Sequence, residues 1–251
     1  MAQPSLEELV ALRWSRRDVL KFGAVSSLTS LLGLSQTACT TMAGVAGAAS
    51  GLGFKSVPIS SADTVVVPEG YTSRLFFAWG DPISDGPSFK PDASNTAADQ
   101  AVQAGMHHDG MNFFSFPLGS NNPDHGLLVV NHEYLDQRLL YPDGMLTWTA
   151  EKLRKAQNAV GCAVIEIKHE AGQWKVVRPS KYARRITSRT PISIGGPARG
   201  SALMRTAADP AGVEVLGTLS NCANGFTPWG TYLTCEENIH SHFALPVGKP
   251  D

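Results

Sequence analysis

Asn221-Cys222-Ala223-Asn224-Gly225-Phe226-Thr227-Pro228-Trp229-Gly230-Thr231-Tyr232-Leu233-Thr234-Cys235-Glu236-Glu237-Asn238 is the stretch that decides how this chain is read. A turn-forming Thr-Pro-Trp-Gly cluster leads into a β-branched and aromatic run over Trp229 to Cys235, the pattern of a strand. That strand ends on two adjacent carboxylates. The layout has an echo upstream. Gly126-Leu-Leu-Val-Val-Asn-His-Glu133 aligns with Gly230-Thr-Tyr-Leu-Thr-Cys-Glu-Glu237 at an offset of 104 residues. Each is a glycine, a short strand and a carboxylate seven positions on. Propeller blades take roughly 40–50 residues, so this spacing fits two of them.

Working outward, short apolar runs separated by turns dominate. Val65 to Val67 reads as a strand, with Pro68-Glu69-Gly70-Tyr71 turning the chain into a second at Thr72 to Trp79. Residues 80–100 are rich in Pro, Asp and Ser and read as a loop. Asn112 to Phe116 and Leu127 to Val130 follow as strands, the second running into Asn131-His132-Glu133. Ala163, Ile165 and Ile167 alternate with Glu166 and Lys168, and Glu170-Ala171-Gly172-Gln173 turns this strand into Trp174 to Val177. The best helix is Thr149 to Val160, where Glu151 and Lys155 lie one turn apart. Plentiful glycine and proline, with little helical periodicity, point to a mainly β protein.

The N-terminus has a different character. Ser15-Arg16-Arg17-Asp18-Val19-Leu20-Lys21 precedes an uncharged stretch, Phe22 to Leu34. That stretch is shorter than the roughly 20 residues a membrane-spanning helix needs and suits a signal-peptide core. Arg16 and Arg17 mark it as a twin-arginine (Tat) signal, although Val19 stands where that pattern usually has Phe. The Tat machinery carries folded proteins, often with a cofactor already loaded. Ala46-Gly47-Ala48 suits a signal peptidase, whereas Thr37-Ala38-Cys39 has features of a lipoprotein site with Gln36 in an unusual place. A soluble periplasmic or secreted product is favoured over an anchor at Cys39. Residues 1–48 are thus signal and the start of an Ala/Gly linker, 49–62 linker, and 63–251 the folded part.

That part is about 200 residues, enough for one well-buried core. A formal net charge of −1 and the lack of a basic block argue against a nucleic-acid partner. No transmembrane helix is expected. Of four cysteines, Cys39 lies in the signal region, leaving Cys162, Cys222 and Cys235. The odd number suggests a free or metal-bound thiol; a Cys222–Cys235 disulfide with Cys162 buried fits the spacing equally well.

The chemistry concentrates at Cys222 and Glu236-Glu237. Carboxylate and amide oxygens suit hard cations, and a thiolate suits softer or redox-capable metals. Successive strand side chains face opposite ways, so either one glutamate binds while the other is structural, or the strand breaks there and frees both. Asn131-His132-Glu133 carries the same signal more weakly. His107-His108 and His240-x-His242 lack the spaced partners of a structural zinc site. No Walker loop, nucleophile elbow or dinucleotide fingerprint is present.

Cys222-x-x-Gly225-x-Thr227-Pro228-Trp229-Gly230-Thr231, with Thr234-Cys235-Glu236-Glu237-Asn238, resembles the PhoX-type alkaline phosphatases. Leu128 to Glu133 matches that family's second motif, and the Tat signal and Pro68-Glu69-Gly70-Tyr71 agree. The resemblance implies a β-propeller with inserted helical segments that hydrolyses phosphate monoesters, with diesters as a further option. It implies Fe3+ and Ca2+ around a bridging oxygen. Cys222 would ligate iron. Glu133, Glu236 and Glu237 would be metal ligands, Glu237 the safer of the last two. Cys222 and Glu237 would carry catalysis, with no Ser-His-Asp arrangement required.

Family members run much longer, and further ligands and a phosphate-binding arginine lie in the part not matched. This chain therefore reads as the N-terminal part of such a protein, with an incomplete propeller and uncertain activity on its own. The implied partners are small phosphate esters and the Tat machinery, and the implied state is a monomer. Two other readings compete: a calcium-dependent propeller lactonase, for which a thiolate is dispensable, and an inactive fragment or exported binding protein.

Overall fold

The computed structural model describes residues 54–242, which fall into two units dividing after Ser73. Arg16, Arg17 and Cys39 lie outside the described residues. In the first unit residues 54–73 form no strand. In the Val65 to Val67 run, expected as a strand, Val65 and Val66 stay exposed and no pairing partner is found among the described residues, because β-branched residues make a strand only when a neighbour takes their backbone groups. The turn after it does form: the Tyr71 N–H donates to Pro68 O at 3.0 Å, and the rings of Phe54 and Tyr71 meet edge to face at 5.6 Å.

The second unit is mainly β with a few helices. Thr72 to Trp79, also expected as a strand, is irregular; Phe77 nevertheless anchors the core. Helix α1 (Ala97–Gln100) is held by a capping box between Thr96 and Asp99. Strand β1 (His108–Ser115) pairs antiparallel with β2 (His125–His132). Helix α2 (Gln137–Leu140) and helix α3 (Ala150–Ala159) follow, the latter capped by the Thr149 side chain on Lys152 N. Glu151 and Lys155 do not pair as their spacing suggests. Lys155 donates to Ala93 O at 2.7 Å and Glu151 accepts from Ala97 N at 2.7 Å, so both fasten α3 to the preceding loop and α1.

Strand β3 (Gly161–Glu170) completes the middle of the sheet, pairing with β2 on one side. On its other side it pairs with both β4 (Gln173–Val176) and β5 (Arg184–Ile186), at different points along its length. The β3–β4 turn places Ala171 and Gly172 at φ 51° and 74°, the left-handed geometry of a tight hairpin. Ala163, Ile165 and Ile167 point into the core with Phe77, Ile83, Ala104 and Val130. Cys162 and Val164 are buried as well, so the opposite face of β3 is covered near its start.

Two ribbons complete the unit: β6 (Thr190–Ser193) with β7 (Glu214–Gly217), and β8 (Asn221–Phe226) with β9 (Tyr232–Glu236). Among the described residues no sheet closes on itself. No disulfide forms there either: Cys162, Cys222 and Cys235 are all free thiols, which corrects the pairing the spacing allowed. No helix of the described residues is long and apolar enough to cross a membrane.

Candidate metal centre

The hairpins β1–β2 and β8–β9 are built alike. In the first, His108 pairs with His132, and the register then slips by one before Met111 pairs with Val130. In the second, Asn221 pairs with Glu236, and the same slip precedes Asn224 with Thr234. Both slips are β-bulges, which bend a strand and re-aim its side chains. Asp109 sits in the first bulge and Cys222 in the second.

Just before each bulge a non-glycine residue takes a left-handed backbone, His107 at φ 48° and Ser220 at φ 49°. The carbonyl of each accepts from the residue that follows the partner strand: Glu133 N to His107 O at 3.0 Å, and Glu237 N to Ser220 O at 2.8 Å. Asp109 thus corresponds to Cys222, and Glu133 to Glu237. The Gly-strand-carboxylate echo in the sequence is the second strand of each hairpin.

These hairpins pack together so that ligand atoms of Asp109, Glu133 and Cys222 lie within 4.8 Å of one another, all three side chains half-buried. Glu237, on the exposed rim, completes the group. The carboxylates of Asp109 and Glu237 both reach the Cys222 thiol by hydrogen bonds and push it up to about 12. Partial burial, then Asp109 and Glu237, raises the Glu133 carboxyl. The crowding of carboxylates around Cys222 and Glu133 thus favours the protonated forms of these two groups, with His107 opposing it at Glu133. A metal ion inverts this logic, because it stabilises the thiolate and carboxylates together. Three carboxylates and a thiol therefore fit a cation that accepts both oxygen and sulfur.

Glu236 takes a different place. Its Oε1 accepts from Thr218 Oγ1 at 2.7 Å and Leu219 N at 3.1 Å, bracing the loop that enters β8. It was expected among the ligands; the alternation of β9 turns it away from the Cys222 cluster and leaves Glu237 there. Asp109 was not singled out in the sequence. Its position beside Glu133 depends on the β1 bulge, and the adjacent His107-His108 was the only local signal.

That histidine pair separates. His107 stacks on Tyr134 at 3.7 Å, while His108 turns inward against Phe77 and His132. Burial holds the His132 imidazole well below its usual value and also lowers His108. Behind them Arg185 donates to the carbonyls of Gln103, Val160 and Cys162, and desolvation lowers it to about 10. In the other downstream pair, His240 is exposed on a 3-10 turn.

Fold and site together define a mainly β protein with a carboxylate–thiol cluster that could hold a metal ion. The family model described as "Alkaline phosphatase PhoX" matches residues 52–249, and the chain belongs to that family. Among solved structures it is similar to "Pseudomonas fluorescens PhoX in complex with vanadate, a transition state analogue", at 46% identity with a TM-score of 0.75. That similarity covers 79% of this chain and 34% of the other, so this chain spans about a third of the length of the relative it matches. No curated protein matches the chain.

Proposed function

We propose that this chain supplies part of the active centre of an exported, metal-dependent alkaline phosphatase that releases inorganic phosphate from phosphate monoesters. The observation that carries this reading is the convergence of Asp109, Glu133 and Cys222, with Glu237 on the rim, in a member of the PhoX family. A lactonase is not favoured: a thiol placed among three carboxylates is the feature such a site does not need.

In this reading Fe3+ and Ca2+ are the resident ions, and when bound they supply positive charge that neutralises the phosphoryl group during transfer. The chain's own residues act by holding charge in place. Cys222 would hold the metal as the soft thiolate donor, its proton passing to solvent. Asp109, Glu133 and Glu237 contribute oxygen donors. The two bulged hairpins fix these donors before substrate arrives, so little reorganisation accompanies the reaction. Glu237, the most exposed of the four, faces the side from which a small phosphate ester enters.

We also propose that the hairpins are parts of a β-propeller in the whole protein, that residues 1–48 carry Tat export to the periplasm or beyond, and that the product is monomeric. The test is elemental analysis of the exported protein together with p-nitrophenyl phosphate turnover on the same sample. Iron and calcium with turnover, both lost in Cys222→Ser, is the expected result. Metal-free protein, or turnover untouched by Cys222→Ser, would overturn the assignment.

A further inference from the structure

Asn131 is wholly buried in β2, two residues before Glu133, and both ends of its amide are in use. Its Nδ2 donates to Cys222 O at 2.8 Å and lies 3.4 Å from Ala223 O. Its Oδ1 faces three donors: Tyr232 OH at 2.9 Å, Thr234 Oγ1 at 3.0 Å and Cys162 Sγ at 3.3 Å. With carbonyls at one end and hydroxyls at the other, the network fixes which end is nitrogen. The Tyr232 hydroxyl also lies 3.1 Å from Gly110 O, beside Asp109 in the β1 bulge, so its one proton is shared between Asn131 Oδ1 and Gly110 O.

The strands that deliver Asp109, Glu133 and Cys222 therefore meet at one side chain. Asn131 stands on the Glu133 strand, grips the Cys222 strand directly, and reaches the Asp109 strand through Tyr232. The grip on Cys222 falls inside the β8 bulge, where the register with β9 skips from Asn221 to Asn224. Ladder pairing controls the backbone least at a bulge, so a side-chain bond to the Cys222 carbonyl has the greatest leverage there.

We infer that Asn131 is a positioning residue of the metal centre: it holds the Cys222 backbone so that the thiolate and the carboxylates of Asp109 and Glu133 converge on one ion. This rests on the reading of the cluster as a metal centre. Outer partners that orient ligands commonly change metal affinity 10- to 100-fold when removed.

The test uses cobalt(II) as probe on metal-stripped protein, with the thiolate-to-cobalt charge-transfer absorption as readout and circular dichroism to monitor folding. Asn131→Asp keeps size and the Oδ1 acceptor but sets an oxygen against the Cys222 carbonyl. The expected result is a lost band, or cobalt affinity weakened about 10- to 100-fold, in folded protein. Thr234→Val removes one donor to Oδ1 and spares the Cys222 bond, and is expected to keep the band.

A folded Asn131→Asp protein with wild-type band and affinity overturns the inference. If that variant does not fold, Asn131→Ser, which removes the bond to the Cys222 carbonyl without setting an oxygen against it, decides: weaker cobalt affinity of the same sign supports it, and an unchanged titration overturns it. Absence of any cobalt band in the wild-type protein would sink the metal-centre reading itself, and this inference with it.

Discussion

His107 and Ser220 are 113 residues apart in the chain and share one backbone conformation, φ 48° and 49°, at the same step of two equivalent hairpins. Each carbonyl receives the N–H of a glutamate of the candidate cluster, Glu133 or Glu237. Left-handed backbone costs an ordinary residue roughly 1–2 kcal/mol and is worst for β-branched side chains. Serine already bears that cost, so Ser220→Val should lower stability further and weaken metal binding by displacing Glu237, whereas Ser220→Gly should retain binding. Urea titration and calcium calorimetry on both variants check this. Equal metal affinity in the valine and glycine variants would rule out control of Glu237 by this conformation.

Gly110 lies where the two hairpins touch. A Cβ added there would sit 2.6 Å from Cys222 O and 2.7 Å from Asn224 Oδ1. The first contact is backbone and cannot swing away, so Gly110→Ala must separate β1 from β8. We expect a destabilisation of about 1–3 kcal/mol, the usual cost of overpacking, with metal affinity reduced alongside it. Thermal melting and cobalt titration are the measurements, and an alanine variant with unchanged melting temperature would contradict the close approach.

Much of this architecture is written locally. The β3–β4 hairpin follows from the alternation of Ala163, Ile165 and Ile167 with Glu166 and Lys168, and α3 from its Thr149 cap. Cys222, Glu133 and Glu237 stand out because each is a reactive side chain at the end or bend of a strand pattern. Asp109 does not, since nothing local marks a one-residue register slip that only pairing with β2 creates. Val65 to Val67 misleads for the opposite reason: its local preference for strand is real, but among the described residues no strand pairs with it. Asn131 reads only as part of the weaker Asn131-His132-Glu133 signal until the β8–β9 ribbon folds over it.

Glu236 and Glu237 are neighbours in sequence with opposite duties. Glu236→Gln keeps an oxygen able to accept from Thr218 and Leu219, so the loop into β8 and the metal affinity should survive. Glu237→Gln removes a charged donor at the rim of the cluster and should weaken metal binding at least about 10-fold while leaving the melting temperature of the metal-free protein nearly unchanged. Metal analysis and melting curves of the two single variants decide it. Comparable loss of metal in both would mean that the alternation of β9 does not separate the two carboxylates.

His132 has both ring nitrogens buried without hydrogen-bond partners among the described residues. Burial is the main reason its imidazole stays neutral, with Arg185 and His108 adding repulsion. In the unfolded chain the same ring takes up a proton as the pH falls through about 6.5. Folded protein then binds fewer protons than unfolded protein, so stability is complete above that value and declines as the pH drops below it. One such histidine contributes a slope of at most about 1.4 kcal/mol per pH unit. His132→Leu should lose absolute stability, because Gly105 packs directly against the ring, but its stability should fall less steeply between about pH 6.5 and 5.5. Urea unfolding with a chelator present, so that metal loading does not enter, measures both slopes. Parallel slopes for wild type and variant would mean that His132 is not held neutral in the folded state.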